Sequence, residues 1–388
     1  MSKFETKAIR EQLERSQFQE HTTPLYLTSS FVFEDGEDMR ASFAEEKKRN
    51  IYTRFTNPNN EELINKVCVL EQAEAGVTFA SGMGAVFSTF AALLQSGDHI
   101  LSARSVFGST HSMFTKYLPK WNIETTYFDV KKTDILENSI RPETKILFVE
   151  TPTNPGVDLV DLEALSELAK KHELIFIVDN CFATPYLQQP ILFGADLVIH
   201  SATKLIDGQG RVLGGLTVGN KDLIREIYLL ARTTGPALSP FNAWILSKSL
   251  ETLAVRLDRH CQTALALAKF LESHPKVAWV KYPFLSSHPQ YAIAKKQMLK
   301  GGNIVSFEIR GGLKAGRAFL NAIEMCSLSA NLGDSRTIVT HPASSTHSKL
   351  DETDRQAVGI TDGMIRLSVG LEHQEDIQKD LVNALEQL

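Results

Sequence analysis

The chain has 388 residues, 43% hydrophobic and 22% charged, an ordinary globular composition at a length beyond what one core sustains, so a large unit plus a smaller one is expected. A formal net charge of −5, with no basic run and no low-complexity tract, argues against a nucleic-acid partner. Nothing approaches the ~18 continuous apolar residues of a membrane span, and the opening residues Met1 to Lys7 are polar rather than signal-like. Cys68, Cys181, Cys261 and Cys326 are scattered without metal or redox spacing, so inert thiols in a cytoplasmic protein are expected.

Residues 1–58 read as an arm. Ala8 to Phe18 has a charged helical pattern, an irregular run surrounds Pro24, and Glu45-Glu46-Lys47-Lys48-Arg49 is densely charged. Too little of this segment is apolar to build a core, so it is expected to lie against a neighbouring subunit. From about residue 60 apolar bursts alternate with helical periodicity. The bursts are Val77–Ala80, His99–Ala103, Lys145–Glu150, Leu174–Asp179, Asp196–His200 and Val212–Val218. Between them lie amphipathic stretches such as Asp161–His172, capped by Asp161 with Leu162, Leu165, Leu168 and Ala169 on one face, and the window Ala85–Leu94 reads as a buried helix. The alternation predicts an α/β domain over 59–245, with a mostly parallel sheet and helices on both faces. A long helical pattern, Ser239 to Ser273, leads into 246–388. There strand-like Asn303–Arg310 and Met364–Val369, with helices, predict a smaller α+β domain.

In an open parallel sheet ligands bind beyond the carboxyl ends of the strands, so the residues immediately after each burst carry weight. Leu174 to Val178 is followed by Asp179-Asn180. Asp196 to His200 is followed by Ser201-Ala202-Thr203-Lys204. Val77 to Ala80 is followed by Ser81-Gly82-Met83-Gly84-Ala85, which opens a helix. A carboxylate, a lysine and a glycine-rich helix start thus converge on one edge. Pyridoxal phosphate needs that set: an amine for its aldehyde, an anion for its pyridinium nitrogen, and amide donors for its phosphate. Lys204 is the expected cofactor-bearing and catalytic residue, Asp179 the pyridinium partner, and Ser81, Gly82 and Met83 the phosphate cradle, with hydroxyls from Ser201 and Thr203. Each feature alone has a plainer reading as a helix start, a strand-end cap or a solvated lysine; the combination favours the cofactor. Gly208, Gly210 and Gly214 miss the dinucleotide spacing by one residue. His341 and His347, in a Pro- and Ser-rich loop, read as structural rather than as metal ligands, and no metal is expected.

On these motifs the chain resembles the Cys/Met-metabolism family of fold-type I pyridoxal-phosphate enzymes, from about Thr22 to the C-terminus. The resemblance implies a fold-type I transferase, with roles for further residues. Ile51-Tyr52-Thr53-Arg54 is similar to a segment whose Tyr and Arg reach the phosphate of a neighbouring subunit. That implies a homotetramer built from two dimers with shared active sites. Thr151-Pro152-Thr153-Asn154-Pro155 is similar to the loop whose Asn lies by the cofactor and the substrate carboxylate. Ile365-Arg366-Leu367-Ser368-Val369-Gly370 resembles the motif whose Arg holds that carboxylate, a task suited to a bidentate fork.

Departures from the family pattern carry information. Val106-Phe107-Gly108-Ser109-Thr110 has Phe107 where most members stack a Tyr on the cofactor ring, and Ser109 where methionine γ-lyase has a Cys. Asn331-Leu332-Gly333-Asp334 has Asn331 where members often have Ser; Asn331 is taken as substrate-binding. The run Asp207 to Gly215 resembles the O-succinylhomoserine sulfhydrylase branch, and Arg211 within it is a candidate for the distal succinyl carboxylate or, alternatively, a brace for its own loop. Phe107 keeps the stacking surface and loses the phenol that could protonate a departing thiolate; a departing carboxylate such as succinate needs little protonation. The expected reaction is therefore γ-replacement on an acyl-homoserine with sulfide. Cysteine as acceptor, a γ-lyase, and a non-catalytic cofactor-binding member are the alternatives. Intact Lys204, Asp179 and Arg366 argue against the last.

Overall fold

The structure, a computed structural model, describes residues 2–130, 133–346, 348, 352–357 and 359–388. The first sheet comprises β1 (Ala75–Phe79), β2 (His99–Ala103), β3 (Glu124–Phe128), β4 (Thr144–Glu150), β5 (Ile175–Asp179), β6 (Leu197–Ser201) and β7 (Gly215–Gly219). Their order is β1-β7-β6-β5-β4-β2-β3. β7 is antiparallel to both neighbours and every other pair is parallel. Six strands therefore point one way, and their carboxyl ends share an edge. Every residue of β2 and β7 is buried, which requires cover on both faces. The helix Gly82–Leu93 packs with Lys221–Thr234, and Pro58–Glu71 packs with Pro240–Leu250.

The second sheet comprises β8 (Val277–Lys281), β9 (Ile304–Ile309), β10 (Ser327–Leu328), β11 (Ile338–Thr340) and β12 (Met364–Ser368), in the order β10-β11-β12-β9-β8. Only β10 and β11 pair in parallel. It has its own core, including Val305, Phe307, Phe319, Ile365, Leu367 and Leu381. The helix Leu253–Glu272 serves both cores, with Leu257 and Cys261 in the first and Ala264, Leu267 and Leu271 in the second. All four cysteines are free; Cys181 is partly buried and the others are buried. Among the described residues no helix is long and apolar enough to cross a membrane.

The expected elements are corrected in three places. The helical stretch expected from Ala8 to Phe18 is instead a helix over Phe4–Arg10. Beyond it the Ser16 amide and hydroxyl both donate to Glu20 (2.9 and 2.7 Å), a side-chain-built turn in place of helical bonding, and Gln19 takes a φ of 50°. The single pattern Ser239–Ser273 is two helices, Pro240–Leu250 and Leu253–Glu272. At the break the Ser249 carbonyl accepts from Thr252 Oγ1 (3.2 Å) and Arg256 Nη2 (2.9 Å). Strands β3, β8, β10 and β11 had no counterpart among the apolar bursts. Asp161 does cap its helix, Leu162–Lys171, accepting from the amides of Glu163 and Ala164.

Candidate active site

The carboxyl edge of the first sheet gathers most of the expected residues. Ser81, just past β1, caps the helix Gly82–Leu93, and its Oγ accepts the Gly84 N–H at 3.1 Å. The N–H groups of Gly82 and Met83 lie in the first turn, where no intrahelical acceptor exists, at the positive end of the helix dipole. Only glycine fits at 82, since a Cβ there would lie 2.6 Å from the Cβ of Ser201. The helix start therefore sits directly against the end of β6. Thr203 Oγ1 accepts the Gly214 N–H (3.2 Å), pinning the turn that presents Lys204.

On the strand beside β6, Asp179 ends β5 and pairs in register with Glu150, which ends β4. Asp179 Oδ1 accepts the Cys181 N–H at 3.0 Å. Burial raises the Asp179 carboxyl to about 6. Burial, then the Asp179 charge, pushes Glu150 well above the usual carboxylate range. The two Glu150 oxygens accept one amide each, Oε1 from Asn154 (3.0 Å) and Oε2 from Phe107 (2.7 Å).

Lys204 Nζ donates to Asn331 Oδ1 at 2.6 Å. Burial lowers the lysine pKa, and the Arg366 charge lowers it further. Arg366 in turn donates through Nη2 to the Asn331 carbonyl (3.0 Å) and through Nη1 to Asn154 Oδ1 (3.0 Å). Its Nε is buried with no hydrogen-bond partner, and among the described residues it forms no ion pair. At 4% exposure, burial pulls its pKa to about 10, so it stays charged at neutral pH. A buried cation without an anion is costly, and a carboxylate at the open Nε would offset that cost.

The contacts close into a ring. It runs from Lys204 through Asn331, Arg366, Asn154 and Glu150 to Phe107, a half-exposed aromatic before the helix Gly108–Ser112. Thr110 of that helix donates to Met83 Sδ (3.7 Å), returning the path to the start of the helix Gly82–Leu93 and Ser201. Cys181 Sγ, beside Asp179, reaches the Ser201 carbonyl (3.6 Å).

Three expected residues lie elsewhere. Arg54 donates to the Arg232 carbonyl and lies over the rings of Phe55 (4.8 Å) and Tyr52 (5.5 Å). Tyr52 is 40% exposed, available to a neighbouring molecule. Arg211 is committed to its own loop, pairing through Nε with Asp207 Oδ1 (3.0 Å) and through Nη2 with the Asp207 carbonyl (3.2 Å) and Ser249 Oγ. These contacts are those of the loop-bracing alternative. His341 is buried, with Nδ1 bonded to Ser344 Oγ and Nε2 to the Asp362 carbonyl (2.7 Å each). His347 lies outside the described residues. Glu150 was missed by sequence reasoning, although it ends an apolar burst as Asp179 does and the same argument selects it.

This donor set fits pyridoxal phosphate. A partly buried amine, a partly buried carboxylate, free helix-start amides and an aromatic face match the parts of the cofactor, and the unused Arg366 Nε suits an amino-acid carboxylate. The comparisons agree. The chain is 45% identical to an O-succinylhomoserine sulfhydrylase of Pseudomonas aeruginosa, over 98% of its own length and 95% of that protein's. It is 43% identical to an L-methionine gamma-lyase of Fusobacterium nucleatum subsp. polymorphum, over 94% of this chain and 93% of that one. A Campylobacter jejuni protein described as a candidate O-acetylhomoserine (thiol)-lyase superposes with a TM-score of 0.95 at 34% identity, covering 99% of each chain, and carries N'-pyridoxyl-lysine-5'-monophosphate. The model of one family, described as Cys/Met metabolism PLP-dependent enzyme, matches residues 5–386, and the chain belongs to that family of pyridoxal-phosphate enzymes.

Proposed function

We propose that the chain catalyses γ-replacement, converting O-succinylhomoserine and sulfide to homocysteine and succinate. The observation that carries the choice within the family is Phe107: the residue beside the candidate site is an aromatic without a phenol, which suits a leaving group that departs as a stable carboxylate. Similarity to an O-succinylhomoserine sulfhydrylase supports it. A second reading, γ-elimination from methionine, is favoured by the similar identity to an L-methionine gamma-lyase.

Bound pyridoxal phosphate supplies the electron sink that acidifies carbons near the substrate amino group. The chain supplies the rest. Lys204 Nζ, whose pKa burial and Arg366 lower, is held by Asn331 and moves protons from Cα and then Cβ. Arg366, with Asn154 on one side and the Asn331 carbonyl on the other, holds the carboxylate and so orients Cα toward that amine. Asp179 would present its partly buried carboxylate to the ring nitrogen, and Gly82 and Met83 would present amides to the phosphate.

Residues 1–58 are proposed as an arm to a neighbouring subunit, 59–245 as the cofactor domain and 246–388 as the small domain. Tyr52 and Arg54 would complete the phosphate site of a second chain within a homotetramer. The function is tested by steady-state comparison of O-succinylhomoserine and O-acetylhomoserine with sulfide or cysteine, and of methionine alone. Homocysteine formed fastest from the succinyl ester and sulfide is expected. Faster release of 2-oxobutanoate and ammonia from methionine would replace this reading with the lyase.

A further inference from the structure

We infer that Glu150 is a positioning residue that fastens two loops of the site to one sheet strand and so sets the stacking aromatic and the carboxylate-binding arginine at a fixed spacing. Both of its oxygens are in use, each by a backbone amide from a different loop: Phe107 at 2.7 Å and Asn154 at 3.0 Å. The partners are main-chain groups, so the side chain fixes where each loop begins rather than the rotamer of one residue. From Asn154 the effect passes through Oδ1 to Arg366 Nη1. From Phe107 it passes along the short helix to Thr110 and Met83.

A second carboxylate in this place has an evident cost. Glu150 is 5% exposed and stands in register beside Asp179, so burial and like charge both oppose its ionisation. An apolar residue would avoid that cost and would leave two partly buried amides without these acceptors. The geometry therefore gives Glu150 a specific task, holding both loops at once from the rigid end of β4. The inference rests on the reading that Asn154 and Arg366 take the substrate carboxylate.

Glu150→Gln tests it, since the amide keeps the shape and removes one acceptor oxygen. In the holoenzyme the KM for O-succinylhomoserine should rise about two- to tenfold, the loss of one ordinary hydrogen bond, while kcat changes less than about threefold. Hydrogen exchange of the full chain, with and without cofactor, should quicken about tenfold in peptides spanning 104–108 or 151–155, with β4 and β5 unchanged. Glu150→Asp, one methylene shorter, carries the same readouts where the Gln variant does not fold. Exchange unaltered in both segments, or raised across all the strands with KM and kcat falling away together, would overturn the inference in favour of a general brace. Arg366→Met separates the two readings. If it leaves KM unchanged the carboxylate assignment fails, and the exchange measurement alone then decides for or against Glu150.

Discussion

Replacing Arg366 by Met removes the charge and keeps much of the volume. In the ligand-free protein two effects oppose each other. Burial lowers the guanidinium pKa from 12.5 to about 10, and at 1.36 kcal/mol per unit that is a penalty of about 3 kcal/mol which the variant escapes. Against it stand two lost bonds, to Asn154 Oδ1 and the Asn331 carbonyl, worth roughly 1.5–3 kcal/mol each. Net stability should therefore change by no more than about 3 kcal/mol, and the variant should fold. Catalysis has no such compensation. Removing one partner of a buried ion pair costs about 3–5 kcal/mol, which at 1.36 kcal/mol per decade is roughly a 150- to 5,000-fold fall in kcat/KM. The assay compares the amino-acid substrate with the matching amine that lacks the carboxylate. Arg366→Met should be crippled toward the first and within about threefold of the unaltered enzyme toward the second. An equal loss toward both would refute the assignment of Arg366 to the carboxylate.

Mixing Arg54→Ala with Lys204→Ala protein should yield hybrids that regain partial activity, because one of the two sites in a mixed dimer then draws a sound arm from one chain and a sound lysine from the other, while the second site carries both defects; verified hybrids without recovery would contradict a shared site. His260 is fully buried with Nδ1 on the Val369 carbonyl (2.8 Å), and burial lowers its pKa from 6.5 to about 4. Between those values the unfolded chain binds the proton and the folded chain does not, so this contribution is complete above pH 6.5 and lost as pH falls toward 4, amounting to about 3 kcal/mol. His260→Asn should flatten that part of the stability–pH profile in urea titrations, and an unchanged slope would exclude His260 as its source. Arg211→Ala, which leaves the buried Asp207 without its ion-pair partner, should reduce activity on the succinyl and acetyl esters equally and lower Tm. A loss confined to the succinyl ester would instead restore Arg211 to the substrate.

Sequence reasoning reaches furthest where periodicity and strand ends coincide. Lys204, Asp179 and Ser81 follow continuous apolar bursts, and a parallel sheet carries all such ends to one edge. β3 was overlooked because Glu-Thr-Thr-Tyr-Phe is a partly exposed edge strand without an apolar run. At the break between Pro240–Leu250 and Leu253–Glu272 Arg256 bonds the Ser249 carbonyl, a side-chain contact that leaves no mark in the helical period. Glu150 was legible by position and passed over as the end of a strand; its two amide partners come from loops 43 residues upstream and 4 residues downstream, a pairing that only folding reveals. Arg211 illustrates the reverse limit. Its place near Lys204 in sequence left substrate contact and a brace for its own loop both open, and Asp207, four residues before it, pairs with the guanidinium.

The central claim is that Lys204 is the amine that holds the cofactor at the edge of the first sheet. Borohydride reduction of the holoenzyme, followed by proteolysis and mass spectrometry, tests it directly. The expected result is a pyridoxyl phosphate adduct on the peptide containing Ser201-Ala202-Thr203-Lys204, and no adduct in Lys204→Ala protein that still folds. An adduct on another lysine, or an equal adduct in the Lys204→Ala protein, would contradict it.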